Sequence, residues 1–282
     1  MCETARIIAR GIFAIGAPFA LRMKRFLSVI AALVALPLAA GVTYQFQSSS
    51  NGVRQGNLAG TVFVDGTNVR LDVKTGDNFL FKDNSIVLSN DGGRTLSVFD
   101  PAGKTYYVIN LTSLLGNSGS LLSSLGASVK FTNPKVGVRN LGAAEPIAGY
   151  PTNHSALDAS YDINVDIMGN TMTSHMTMTT ESWTTDRLSG EFMNFMQMKN
   201  MRTGFDDLDK LIEAQSSAIN GRFPLKQVTT IHIAQGGADM TTTTTSEVSN
   251  IEKKTLSAAT FAAPTGYTKV DDPITRMTKN LK

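Results

Sequence analysis

The 282-residue sequence predicts a mainly β protein, one large antiparallel sheet carrying two helical insertions. Three observations predict it. Short segments with apolar residues at alternate positions recur from residue 59 to residue 254, the period of a strand with one buried face. The breaks between them combine glycine with Asp, Asn or Pro, which supply the positive or fixed φ of a tight turn. Two stretches, 111–127 and 190–218, abandon the alternation for apolar residues at helical spacing.

The first strand signal is 59–64 (AGTVFV), closed by Asp65-Gly66 and answered by Val69, Leu71 and Val73 alternating with Arg70 and Asp72. Ile86 and Leu88 lie in the next strand, before Asp91-Gly92-Gly93. Leu96 and Val98 precede Asp100-Pro101-Ala102-Gly103, and Tyr106 to Ile109 completes a meander. Strands resume from Lys130 to about Ala143. Tyr161, Ile163, Val165 and Ile167 alternate with Asp162, Asn164 and Asp166, and Met168-Gly169-Asn170 turns the chain into a long strand, Thr171 to Trp183. Phe223 to Ala234 and Ala238 to Val248 form a hairpin around Gln235-Gly236-Gly237, and Ile251 to Lys254 is a last short strand. The section 190–218 reads as two helices broken near Thr203-Gly204. Asp206, Asp207 and Asp209 fall in the first turn of the second, where carboxylates complement the helix dipole.

A one-sided sheet needs something to bury its apolar face against, and the two helical segments are the candidates. A curved sheet with these helices on its concave face leaves an apolar cavity between them, a natural ligand site. The residues expected to line it are Leu114, Leu115, Leu121 and Leu122 from the first insertion and Phe192, Phe195 and Met196 from the second. Met168, Met172, Met176 and Met178 join them, because they share one parity on the strand while His175, Glu181 and Trp183 share the other. Eight of the twelve methionines fall between residues 168 and 201. They suit an adaptable apolar groove or simple core. Thioethers also bind Cu(I), but the nearest histidine faces away from the row.

The N-terminus places the protein. Met23-Lys24-Arg25, the apolar run Phe26 to Leu36, and Pro37-Leu38-Ala39-Ala40-Gly41 have the basic, apolar and small-residue regions of a cleavable secretory signal peptide. The run is shorter than the ~20 residues that span a bilayer. Cleavage is expected near Ala40, and an uncleaved anchor is the alternative. Residues 1–40 are then an extended N-terminus and leader, 41–270 a single domain and 271–282 a polar tail, and the mature protein is periplasmic or secreted. The leader takes five of the 26 basic residues and one of the 23 acidic ones, so the mature net charge is −1 rather than +3. Nucleic acid is therefore not an expected partner. Cys2, the single cysteine, goes with the leader, which excludes a disulfide and thiol chemistry in the mature chain.

No catalytic motif is present. His154, His175 and His232 lack the spacing of a metal pair, and no nucleophile elbow surrounds Ser155 beside His154 and Asp158. The row Asp162, Asn164, Asp166 fits a solvated sheet face better than a calcium site. No P-loop or dinucleotide fingerprint occurs, and no cofactor is expected.

Pro146-Ile-Ala-Gly-Tyr150, Glu181-Ser-Trp-Thr-Thr-Asp-Arg-Leu188, Phe223-Pro-Leu-Lys226, Val248-Ser-Asn-Ile251 and Phe261-Ala-Ala-Pro-Thr-Gly-Tyr267 follow in an order that resembles an uncharacterised family of secreted bacterial proteins. That family is in turn similar to the LolA-like outer-membrane lipoprotein carriers. The resemblance implies an unclosed antiparallel half-barrel with helices in its mouth, and a lipid or lipoprotein acyl chain as cargo, with peripheral contact to the envelope membrane. The expected function is a non-catalytic periplasmic binding protein for an apolar ligand. The alternatives are an envelope structural or protein-interaction module without a small ligand, and a Met-rich periplasmic copper-binding protein.

Overall fold

Period-two alternation builds a single twelve-stranded sheet. The structure, a computed structural model, describes residues 41–52, 56–78, 80–111, 127–189, 205–219 and 221–279. The leader, most of the first insertion and residues 190–204 lie outside the described residues. Two meanders are joined side by side. The first comprises β1 (Gly41–Gly52), β2 (Gly56–Asp65), β3 (Asn68–Gly76), β4 (Ile86–Ser89), β5 (Thr95–Asp100) and β6 (Thr105–Asn110). The second comprises β7 (Ala127–Ile147), β8 (Tyr150–Ile167), β9 (Asn170–Ser189), β10 (Arg222–Gln235) and β11 (Ala238–Lys254). Pairing of β1 with β11 fuses them, and β12 (Thr268–Lys269) adds to β6 in parallel. The strand order runs from β12 to β7 without closing, so the sheet is curved and open, as expected.

The alternating pattern is expected from residue 59, but the structure opens a strand earlier. β1 lies just after the expected cleavage point and sits at the junction of the two meanders. Its Val42, Tyr44 and Phe46 alternate into the main core, where Val62, Val64, Leu71, Val98, Phe223 and Val248 join them. Fully burying a side chain of this size stabilises by ~1.5–3 kcal/mol. The residue opposite Phe46 on β2 is Gly60, where a Cβ would stand 2.3 Å from the Asp72 carbonyl oxygen. The strand expected at Ile251 to Lys254 is the end of β11, reached past Asn250 at φ 50°.

Of the helical insertions, the described part of 190–218 is one helix, α1 (Asp206–Ile219), opened by the acidic turn Asp206, Asp207 and Asp209. A second helix, α2 (Pro273–Lys279), occupies the segment expected as a polar tail. Its Asp272 carboxylate caps the start by accepting from the Thr275 backbone N–H (3.0 Å). On the sheet face opposite the main core, a 3-10 turn (Ala258–Phe261) packs by β3, with Arg70 donating to the Thr260 carbonyl (3.0 Å). There Phe99 stacks on Tyr106 and meets Tyr267 edge-on.

Candidate functional site

Cross-strand partners project to the same face of a sheet, so register carries one face across the molecule. The core face of β1 continues through Phe46↔Val248 into the second meander, where it also bears α1. Three zones follow one another along the long strands of this face.

The first is the main core, ending at Phe46, Val248 and Leu225. The second is a belt of hydroxyls and one amide across β1, β11, β10 and β9. Ser246 donates to Ser48 (2.9 Å), Ser50 bonds Thr244 (2.7 Å), Gln227 donates to Ser182 (3.1 Å) and Thr180 bonds Thr229 (3.1 Å). Thr180 and Ser182 are buried, and such groups are tolerated away from water because they satisfy one another. The third zone is apolar again. Ile231 pairs with Met178 and Met178 with Ala159, Ile233 pairs with Met176 and Met176 with Tyr161, and Met240 stands opposite Ile233. These side chains are half-buried except Ala159, which is buried. Burial pushes the Tyr161 hydroxyl above the ordinary phenol range.

α1 covers part of this third zone. Leu208, Leu211 and Ala214 pack on Leu157, Ala159, Tyr161 and Met178, and Phe205 meets Phe131 edge-on at 5.1 Å. The cleft left between helix and sheet, lined by Phe131, Pro134, Val136, Tyr161, Leu208 and Leu211, holds about 10 Å³, the space of one water-sized sphere. The cleft between α1 and the sheet is thus nearly filled, and residues 112–126 and 190–204, which the expected cavity also involved, lie outside the described residues. The apolar surface beside the helix, on β9, β10 and β11, is the candidate site.

The structure brings together three of the four methionines expected in the row. Met172, Met176 and Met178 face the same way, whereas Met168 occupies the β8–β9 turn at φ 52°, 83% exposed. Leu114, Leu115, Leu121, Leu122, Phe192, Phe195 and Met196 lie outside the described residues. Ile231, Ile233, Met240 and Tyr161 were not expected in the site. Their parity is visible in the sequence, but only register sets them beside the methionines.

The opposite face of β7, β8 and β9 is polar. Arg139 pairs with Asp158 (2.6 Å) and Thr179 donates to the same carboxylate, whose pKa the Arg139 hydrogen bond holds below the usual range. Asn133 and His175 likewise hold Asp162 low. Asn164 bridges Thr132 and Thr173, and Asp166 accepts from Gly169 and Thr171. The acidic row is therefore a hydrogen-bonded surface ladder. Among the described residues no group of three or more His, Cys, Asp or Glu is placed to hold a metal ion. His175 stands on this face, away from the thioethers. His154 also stands here, stacked on Trp183 at 4.2 Å and bonded to Glu181 (2.8 Å), while Ser155 projects to the other side. Lys226 lies over the same Trp183 ring. An open pocket of about 350 Å³ on this side, between Ser89, Asp91, Phe99 and Phe261, has its Asp91 carboxylate occupied by Ser89 and the Thr95 backbone N–H.

Residues 47–267, from β1 to the Gly266-Tyr267 turn, match a family described as a domain of unknown function, DUF4412. The chain belongs to the DUF4412 family. Two solved structures are similar to this DUF4412 protein. A LolA superfamily protein from Nitrosomonas europaea is 10% identical at a TM-score of 0.30, covering 80% of this chain and 91% of that one. A DUF1329 family protein from Desulfovibrio piger is 8% identical at the same TM-score and coverage. No curated protein matches the chain. The match to a domain family of unknown function agrees with the uncharacterised family that the sequence resemblance implied.

Proposed function

We propose that this DUF4412 protein is a non-catalytic binding protein of the periplasm, exported by residues 1–40, that holds a lipid, acyl chain or other apolar ligand on its helix-bearing face. One observation carries this reading. Beyond the hydroxyl belt, Ile231, Ile233, Met176, Met178 and Met240 form a second apolar zone across three neighbouring strands. It is separate from the main core. Contiguous apolar surface of this kind marks binding sites in soluble proteins. Methionine, unbranched and polarisable, adapts to flexible chains better than a rigid pocket would.

Protein purified from the envelope fraction, extracted with organic solvent and examined by mass spectrometry, should release lipid. A fluorescent acyl probe should bind the extracted protein and should fail to bind the Met178→Asp/Ile231→Asp variant, whose far-ultraviolet circular dichroism stays unchanged. Wild-type protein that releases no lipid and binds no probe would refute the proposal.

A second reading, an envelope interaction module without a small ligand, rests on β7. This terminal strand of 21 residues pairs only with β8 among the described strands and leaves Val136, Val138 and Leu141 exposed. It predicts co-purification of an envelope protein that Val138→Lys abolishes.

A further inference from the structure

The turn between β8 and β9 is a two-residue hairpin, Met168-Gly169, with φ values of 52° and 84°. Positive φ at both positions is the geometry that favours Asn-Gly, because asparagine tolerates the left-handed region and other side chains tolerate it poorly. The β10–β11 hairpin meets the same demand with Gly236-Gly237 and the β7–β8 hairpin with Ala148-Gly149. Only in the β8–β9 turn is the strained position given to a large apolar residue, and that residue is 83% exposed. Methionine here costs stability through its backbone and gains nothing by burial. A locally unfavourable residue held on display points to function.

Met168 does not stand alone. Ile167 (43% exposed) and Met172 (49%) flank it, and both project to the helix-bearing face, continuous through Met172↔Val165 with the apolar zone at Met176 and Tyr161. Two polar groups of the turn are held by a side chain within it. Asp166 accepts from the Gly169 backbone N–H (3.1 Å) and from the Thr171 hydroxyl (3.0 Å). The Gly169 N–H and the Thr171 hydroxyl therefore keep their partner when the apolar side chains leave water.

The geometry points to a membrane-docking tip: Ile167, Met168 and Met172 insert into the interfacial layer of a phospholipid bilayer and bring the apolar zone of the helix-bearing face to the lipid surface. Two features select a bilayer over a protein partner. Three side chains on one hairpin tip bury far less than the roughly 1,200 Å² of the smaller stable protein–protein interfaces, whereas a narrow apolar protrusion enters an acyl layer without a matching groove. The tip is also not cationic. Asp166 lies within it and Asp239 at the neighbouring β10–β11 hairpin, against Lys130 on β7. Attachment is then hydrophobic and does not depend on anionic lipid.

This inference rests on the ligand-binding reading for its purpose, but its test is separate. The full-length sequence, expressed and purified as the cell processes it, is mixed with phosphatidylcholine vesicles and with phosphatidylcholine–phosphatidylglycerol vesicles, and bound protein is measured by flotation. Wild type and variants carry the same N-terminus, so the difference between them reports the tip. Met168→Asn should lower vesicle binding about tenfold on both lipid compositions, with little effect of salt, by removing the inserted side chain. Its melting temperature should be equal to or above that of wild type, because Asn-Gly relieves the turn. Binding of the acyl probe should be unchanged in Met168→Asn. In Met178→Asp/Ile231→Asp, probe binding should be lost while vesicle binding persists. Equal vesicle binding by wild type and Met168→Asn overturns the docking tip and leaves the ligand site standing. Loss of binding only on anionic vesicles, reversed by salt, overturns it in favour of electrostatic attachment.

Discussion

Two tyrosines on the core face show how single residues set the pH limits of the fold. Tyr107 donates its hydroxyl to the Leu80 carbonyl, and burial pushes its pKa up to about 12, with Asp100 and Asp272 adding to the rise and Arg276 opposing it. Tyr44, fully buried against Phe223 at 5.5 Å, is raised further by burial. An unfolded tyrosine ionises near pH 10. Above that pH the unfolded chain releases protons that the folded chain keeps, so ionisation favours unfolding. Stability from these residues is fully present below pH 10, declines as pH rises, and for Tyr107 is lost through pH 12. We expect the melting temperature, followed by circular dichroism, to hold steady up to about pH 10 and then to fall steeply. Tyr107→Phe should be less stable by ~1 kcal/mol at neutral pH, from the Leu80 carbonyl left without its donor, and should fall less steeply above pH 10. A wild-type melting temperature indifferent to pH across that window would contradict the burial of both hydroxyls.

At the scale of strands, the hydroxyl belt divides the helix-bearing face into a core and a candidate site. Thr180 on β9, the most buried described hydroxyl of the belt, bonds Thr229 on β10. Replacing one by valine leaves a hydroxyl without its partner and should cost ~1–2 kcal/mol. Replacing both removes the two polar groups together, and the Thr180→Val/Thr229→Val protein should recover most of the loss. Urea unfolding of the two single variants and the double variant checks this, and additive losses would mean that the hydroxyls do not bond each other. Much of this face was legible in the sequence. Alternate parity placed Met172, Met176 and Met178 together and His175 opposite, because a strand's side chains have a period of two whatever it pairs with. The acidic start of α1 was legible for the same local reason. The neighbours were not. Ile231 and Ile233 reach the methionines only through the β9–β10 register, which hairpin signals do not specify across a connection of more than 30 residues. The run Thr241 to Thr245 reads locally as a strand with one solvated face. In the structure it faces both ways, and Thr244 joins the part-buried belt through Ser50.

For the whole molecule, the first meander and two hairpins of the second were foreseeable from turn chemistry, whereas the fusion of the meanders was not. β1 meets β11 across about 200 residues, as in the bond between Asn250 and Gln45 (3.0 Å). Contacts so distant in sequence have no local signature, and the leader's apolar run ends just before this strand. Fusion has an energetic consequence for the proposed function. The first meander carries most of the buried core, while the distal halves of β9, β10 and β11 expose more side chain and share the apolar zone. An apolar ligand on that zone would bind the folded chain alone, and such a ligand stabilises by RT ln(1 + [L]/Kd), ~2.7 kcal/mol at a hundred times Kd. Protein stripped of lipid should therefore melt at a lower temperature than protein as purified, and adding back a long-chain acyl ligand should raise the midpoint with the logarithm of its concentration. Met178→Asp/Ile231→Asp should melt at one temperature with or without the ligand. Met168→Asn should keep the full ligand-dependent rise, since its side chain stands beyond the site. If stripping and adding back leave the wild-type midpoint unmoved, the distal zone is not where an apolar ligand is held.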